Sequence, residues 1–415
     1  MTSYSWRPVR LSVVGSLLIG GMIGCGSDGT PEAVRARYAA RGSGDVVIGV
    51  AWPWAKRREI RYGEGLDLAV EEVNAAGGIN GRKLRLVRAD DAESVDAGRR
   101  VADRFAGDPS IVAVIGHLQS FVSVPASAIY DMAGLVMISP TSTDPELTAH
   151  GYSRVFRSTY TVDEVGGQLA DFAAAQGYRR IAIEYIRSQY GRSLANAFEE
   201  RANTLGLSVL ARQSYDPSDS ITSQAFAATA EEWRRLDLQA IVVAGEVPTA
   251  AHFIVQTRRA GITVPMLGGD AMGSVALVSV GGTAVEGTVV AAPFHPGEDR
   301  PEVHRFVTAF RHRFGLEPDA GSALGYDAVR LLAHAMQRAR SSSSDEIARY
   351  LHTMPGWQGV TGKLQFADNG DLIGSRIVKT IVRDGRLTYL PDSGTVGQAA
   401  SRDPTSTGPV GVGSK

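Results

Sequence analysis

The stretch Ile111 to Thr148, IVAVIGHLQSFVSVPASAIYDMAGLVMISPTSTDPELT, decides the fold because it holds two successive strand-to-helix junctions. Ile111-Val112-Ala113-Val114-Ile115 is an unbroken apolar run of strand length closed by Gly116, the pattern of a strand buried on both faces. Such strands belong to parallel sheets. Gln119-Ser120 then opens a segment with Val124, Ala128 and Met132 at helical spacing, which puts Ser120 at a helix start beyond the carboxyl end of a strand. The pattern repeats: Leu135-Val136-Met137-Ile138 is a second buried strand, and Ser139-Pro140-Thr141-Ser142-Thr143-Asp144-Pro145 is a hydroxyl-rich loop leading into a short helix. Helix starts leave backbone N–H groups unpaired and carry partial positive charge, so two of them side by side suit a carboxylate. In open α/β sheets, ligands collect at that position.

Outward from there the alternation continues. Val46-Val47-Ile48-Gly49-Val50 is a first buried strand, followed by Trp52-Pro53-Trp54, the charged run Lys56-Arg57-Arg58-Glu59 and a helix over about 61–76 that ends at Gly77-Gly78. Leu84 to Val87 is the next strand, and a helix around 97–106 leads back to Ile111. After Val155-Phe156-Arg157-Ser158 a second series begins, with strands at 181–183, 207–210, 240–244 and 266–268 separated by helical stretches. This predicts an α/β protein of two Rossmann-like, doubly wound parallel units. Residues 287–294, the helices near 303–314 and 325–338, and the segment 362–390 have to join one unit or the other.

The totals bound the function. With 415 residues there is room for two cores, and a net charge of −1 with 44% hydrophobic residues offers no basic excess for nucleic acid. Arg7 and Arg10 precede an uncharged stretch, Leu11 to Gly24, which fits an export signal and is shorter than the roughly 20 residues that span a bilayer. It ends Met22-Ile23-Gly24-Cys25, which resembles a lipoprotein lipobox and marks Cys25 as the lipid attachment point; a buried thiol is the plainer reading. Cys25 is the single cysteine, so neither an intramolecular disulfide nor a thiolate metal site is possible. Residues 25–44 read as a flexible tether and 393–415 as a disordered tail. Gly42-x-Gly44 precedes its strand instead of following it, and there is no Walker loop or Gly-x-Ser-x-Gly elbow. No enzyme, metal or cofactor is expected.

With these motifs placed, the chain resembles type I periplasmic substrate-binding proteins, most closely the leucine/isoleucine/valine-binding branch that feeds ABC importers. The resemblance covers about 45–390. It rests on Asn74-Ala75-Ala76-Gly77-Gly78-Ile79-Asn80-Gly81, Asp90-Asp91-Ala92, Ile115-Gly116-His117-Leu118, Pro125-Ala126-Ser127, Met137 to Pro140 with Pro145 to Thr148, Gly325-Tyr326-Asp327-Ala328 and Gly359 through Asp371. It implies two lobes joined by three crossings, lobe 1 at 45–158 plus 291–366 and lobe 2 at 159–290 plus 367–392, with a small-molecule ligand held between them by hinge closure. It further implies a monomeric, extracytoplasmic, lipid-anchored protein partnered by an ABC permease and ATPase. A sensor that reports occupancy to a membrane partner would use the same fold.

Residue by residue, the resemblance assigns the ligand carboxylate to Ser120, Thr141, Ser142 and Thr143. It gives Tyr190 a place against the ligand from lobe 2, and the ligand ammonium to Asp270, where the family more often has Glu. Glu93 and Gln119 stand where the family has a disulfide pair. Glu246 stands where branched-chain binders carry a tyrosine, and Trp54 lies in a first loop bulkier and more basic than usual. These departures point away from an aliphatic ligand and toward a larger or more polar amino acid, an amide or a carboxylic acid. The plainer readings are helix caps for Ser120, Thr143 and Asp270, a dipole-satisfied carboxylate for Glu246, and a sheet-edge cover for Trp54.

Overall fold

The structure is a computed structural model that describes residues 30–219 and 224–391; the expected signal segment, Cys25 and the tail from 393 lie outside the described residues. Five parallel strands form the first sheet: β1 (Val46–Trp52), β2 (Leu84–Asp90), β3 (Ile111–Ile115), β4 (Val136–Ser139) and β5 (Val155–Arg157), in the order β2-β1-β3-β4-β5. Alternate residues of β1 enter opposite cores. Val46, Ile48 and Val50 join one with the helices Tyr62–Ala75 and Ala320–Ala339, while Val47 and Ala51 join the other with Phe105, Ala126 and Tyr130. A sheet covered on both faces has to be built of continuous apolar runs, which is what its sequence contains.

The second sheet comprises β6 (Arg180–Ile186), β7 (Ser208–Tyr215), β8 (Ala240–Ala244), β9 (Met266–Gly268) and β10 (Val289–Ala292), with two strands from the end of the chain added. Between them in sequence lie the small ribbon strands β11 (Trp357–Gln358) and β12 (Lys363–Leu364), and the added pair is β13 (Val378–Arg383) and β14 (Arg386–Leu390). The order is β14-β13-β10-β9-β8-β6-β7, parallel from β7 to β10 and antiparallel beyond. Asp384-Gly385, both at positive φ, make the turn of the β13–β14 hairpin.

The fold is thus the expected pair of doubly wound lobes, with the crossings set by what each segment grips. β10 runs to Ala292, where it pairs with Val378, so lobe 2 continues slightly past residue 290. Asp371 is held by Arg157 and Thr148 of lobe 1, so the last crossing follows it rather than preceding 367. Asp327 accepts from Val360 N (2.9 Å), Thr361 N (2.7 Å) and Thr361 Oγ1 (2.6 Å), tying the returning segment to helix Ala320–Ala339. That helix meets Tyr62–Ala75 so closely that a Cβ on Gly65 would lie 2.0 Å from Ser322 O.

The expected tether is only partly one. Pro31–Ala40 is a helix, capped at Thr30, that lies across the amino ends of the first sheet. Arg35 is 3% exposed and donates to Ala106 O, Asp108 O, Ile111 O and Ala133 O, carbonyls at the entries to β3 and β4. Burial lowers this guanidinium to about 10 against the pull of Asp108, which leaves it charged at neutral pH.

Candidate functional site

The two sheets present the carboxyl ends of β3 and β4 on one side of a cleft and those of β6, β8 and β9 on the other. On lobe 1, Gly116 leaves β3 at φ 143°, where a Cβ would meet Ala51 O at 2.3 Å; no other residue fits that exit. Helix Ser120–Met132 follows with Gln119 as N-cap, and no side chain caps it among the described residues. Its first N–H groups therefore remain available to an anion. Ser120 is the first helical residue rather than the cap, and its Oγ accepts from Asp144 N (3.4 Å).

The neighbouring loop is fastened to this one. Thr141 Oγ1 donates to His117 O (2.9 Å) and Leu118 O (3.0 Å), so its hydroxyl joins the two loops. Ser142 is wholly buried, with an Oγ that has no partner among the described residues, and Thr143 O accepts from Val162 N of lobe 2 (2.9 Å). His117 is structural: it is buried between Asp91 Oδ2 (2.7 Å) and Tyr130 OH (3.1 Å).

Sequence reasoning missed the residue that shapes this loop. Arg157, at the end of β5 and fully buried, donates to Ser142 O (2.9 Å), Asp144 O (2.5 Å), Thr148 Oγ1 (2.9 Å) and Asp371 (2.8 Å). Its only signal was an arginine closing an apolar strand, since a buried arginine needs several acceptors to be tolerated.

On lobe 2, Ser188 caps helix Gln189–Thr204 by accepting from Gly191 N (3.1 Å), which places Tyr190 in its first turn. Tyr190 OH donates to Asp270 Oδ1 (2.9 Å) and accepts from Ala271 N (3.3 Å). Gly269 is required at this contact, because a Cβ there would lie 2.3 Å from the phenol oxygen. Burial raises the Asp270 carboxyl above the usual aspartate range, opposed by the Tyr190 hydrogen bond. Burial also lifts the phenol of Tyr160, with the charge of Asp270 adding to the effect. Tyr160, from the hinge, is a second residue that the sequence did not single out.

Glu246 follows β8, beside Asp270 after β9 in the adjacent register Val243↔Gly268. Burial raises its carboxyl; Arg57 of lobe 1 opposes that, while Asp270 and Glu93 add to it. Arg57 Nε pairs with Glu93, which also accepts from Gln119 Nε2 (3.3 Å), so a polar cluster replaces the cysteine pair. Trp54, expected against the ligand, is engaged at the sheet edge. Its Nε1 donates to Ala89 O (3.1 Å), and the Arg88 guanidinium lies 5.0 Å from its ring centroid, the covering role that an indole beside an edge strand fills. The lobes touch across the cleft mouth, where Gln189 Nε2 donates to Asp144 Oδ2 at 2.6 Å. Among the described residues no acidic, His or Cys cluster could hold a metal, and no helix is long and apolar enough to cross a membrane.

Known proteins share this arrangement. The family described as "Periplasmic binding protein" matches residues 59–379. A Brucella melitensis protein named "Leu/Ile/Val-binding protein homolog 1" is 31% identical over 347 residues, 82% of this chain and 91% of its own length. An "Amino acid binding protein" of Pseudomonas aeruginosa is 30% identical over 84% of this chain and 93% of its own. Among solved structures, an ABC transporter substrate-binding protein from Desulfitobacterium hafniense in complex with Leu superposes with a TM-score of 0.77 at 39% identity, covering 83% of this chain and all of that one. Two doubly wound lobes, a cleft at their facing strand ends and a match over most of the length lead to one conclusion: the chain belongs to the periplasmic binding protein family.

Proposed function

We propose that this protein captures an α-amino acid between its lobes and delivers it to an ABC permease and ATPase, held at the extracytoplasmic face of a membrane by lipid on Cys25. The observation that carries the reading is the half-buried Asp270 carboxylate, backed by Tyr190 and set across the cleft from the uncapped start of helix Ser120–Met132. One end suits an ammonium and the other a carboxylate. In this role Ser120, the backbone around Ser142 and Thr143, Tyr190 and Asp270 contact the ligand, and Thr141 and Arg157 hold the loops in place. The relatives named for amino acids, and the Desulfitobacterium protein solved with leucine, support the ligand class.

Capture proceeds by closure. Moving an open:closed ratio from 1:99 to 99:1 takes about 5.5 kcal/mol of preference for the closed form. Hydrogen bonds to charged groups contribute about 1.5–3 kcal/mol each, so three or four contacts divided between the lobes suffice. The test is thermal unfolding of the chain from Gly26 onward against amino acids, amides, dicarboxylates and aromatic acids. A ligand at a hundred times its dissociation constant stabilises the fold by about 2.7 kcal/mol. Shifts with α-amino acids are expected; shifts confined to acids without an amine would retire the amino-acid reading.

A further inference from the structure

The loop that carries Ser142 and Thr143 is held from behind, and the hold reaches the hinge. Arg157, whose side chain is wholly buried, donates through one amino group, Nη1, to both Ser142 O (2.9 Å) and Asp144 O (2.5 Å). A trans peptide points its C=O and N–H in opposite directions, so the bond to Ser142 O turns the Thr143 N–H away from the guanidinium. That N–H, like the N–H of Ser142, has no acceptor among the described residues. The loop therefore directs its carbonyls to a cation and leaves its amides for an anion.

One carboxylate keeps that cation in place. Among the described residues Asp371 is the only charged acceptor of Arg157: its Oδ1 accepts from Arg157 Nε (2.8 Å) and Thr148 Oγ1 (2.7 Å), and Thr148 Oγ1 accepts from Arg157 Nη2 (2.9 Å). Asn369 Nδ2 donates to the other oxygen of Asp371 (3.1 Å). The turn that holds both residues is pressed onto β5, since Gly370 O accepts from Arg157 N (2.9 Å) and a Cβ on Gly370 would lie 2.1 Å from Val155 O. Farther along the same crossing, Ser375 Oγ donates to Glu164 of lobe 2 (2.6 Å). The last crossing thus starts at the carboxylate that pairs with Arg157. Without that charge the buried guanidinium would keep only neutral acceptors, which favours its release together with the two loop carbonyls. We propose that Asp371 is a positioning residue for the cleft: it pins Arg157 between the last crossing and the loop 141–144, and so sets the backbone amides that receive the ligand carboxylate. This rests on the amino-acid reading of the cleft and adds to it a residue that acts without touching the ligand.

Two measurements on the purified full-length protein test it: amide hydrogen exchange without ligand, and titration calorimetry with L-leucine, L-glutamine, L-lysine and L-glutamate. In Asp371→Asn, exchange over 139–147 is expected to quicken at least about tenfold while 62–75 and 240–244 keep the wild-type rate, and the tightest-binding amino acid is expected to lose at least about tenfold in affinity. Asp371→Glu, which keeps the charge, is expected to recover part of that affinity. Thr148→Val, which leaves the ion pair intact, is expected to give the same changes at smaller size, and it decides the outcome if Asp371→Asn does not fold. Wild-type exchange over 139–147 in both variants overturns the proposal. So does faster exchange there with wild-type affinity, or acceleration throughout the chain, which marks a residue of general stability only. These results leave amino-acid capture standing. Absence of wild-type binding to all four amino acids defeats the amino-acid reading, and the exchange result then decides by itself whether Asp371 holds the loop.

Discussion

On the proposed reading, Asp270 is a single carboxylate prepared for a cation. Its carboxyl is raised by burial, so in the empty protein the charged form is held at a cost that an arriving ammonium relieves. The sign follows from that shift. The group takes up a proton at a pH above the ordinary aspartate range, and amino-acid affinity is expected to fall as pH drops through that raised value and to be complete above it. Calorimetry across the acid range checks this: binding should release protons there, and Asp270→Asn should remove both the release and about 2–4 kcal/mol of affinity. Unchanged affinity in Asp270→Asn would place the ammonium elsewhere. The residues legible in the sequence were those at strand ends followed by helix starts, such as Ser120, Tyr190 and Asp270. Arg157 and Tyr160 were not legible, because their surroundings include carboxylates brought to them from far along the chain, Asp371 for Arg157 and Asp270 for Tyr160.

At the scale of elements, β1, β3, β4 and β8 could be read directly, since both faces of each are buried and the apolar runs are unbroken, whereas only the apolar centre of β6, 181–183, was legible because Arg180 and Glu184 interrupt its pattern. β7 is longer than its apolar pattern, because an edge strand exposes alternate residues and can be polar there. Helix Pro31–Ala40 left no apolar period at all. Its principal buried contact is a charged side chain, Arg35, which seats at the carboxyl ends of two helices, where the dipoles favour a cation. Arg35→Ala would leave those carbonyls without their donor. It is expected to lower stability by about 2–4 kcal/mol in chemical denaturation, with ligand affinity unchanged, since the helix lies at the opposite end of the sheet from the cleft. A wild-type denaturation midpoint would show that the helix does not dock in solution.

At the scale of the whole molecule, the lobes are joined by crossings and meet again at Gln189 and Asp144, a contact between side chains outside the proposed ligand anchors. Such a contact exists only when the cleft is shut, so it acts on the rate of opening. Gln189→Ala is expected to speed ligand release two- to tenfold with association unchanged, measured by stopped-flow fluorescence, in keeping with about 0.5–1.5 kcal/mol for one hydrogen bond. A change confined to association would mean that the pair guides encounter instead. The placement of helix Pro31–Ala40 has a practical side. Its backbone enters from the strand amino ends of the first sheet, so whatever is attached ahead of Pro31 leaves from the face turned away from the cleft. Fixed to a sensor surface through that end, the protein would keep its cleft turned to the flowing solution and lobe 2 unencumbered, an orientation suited to an immobilised reporter of its own ligand.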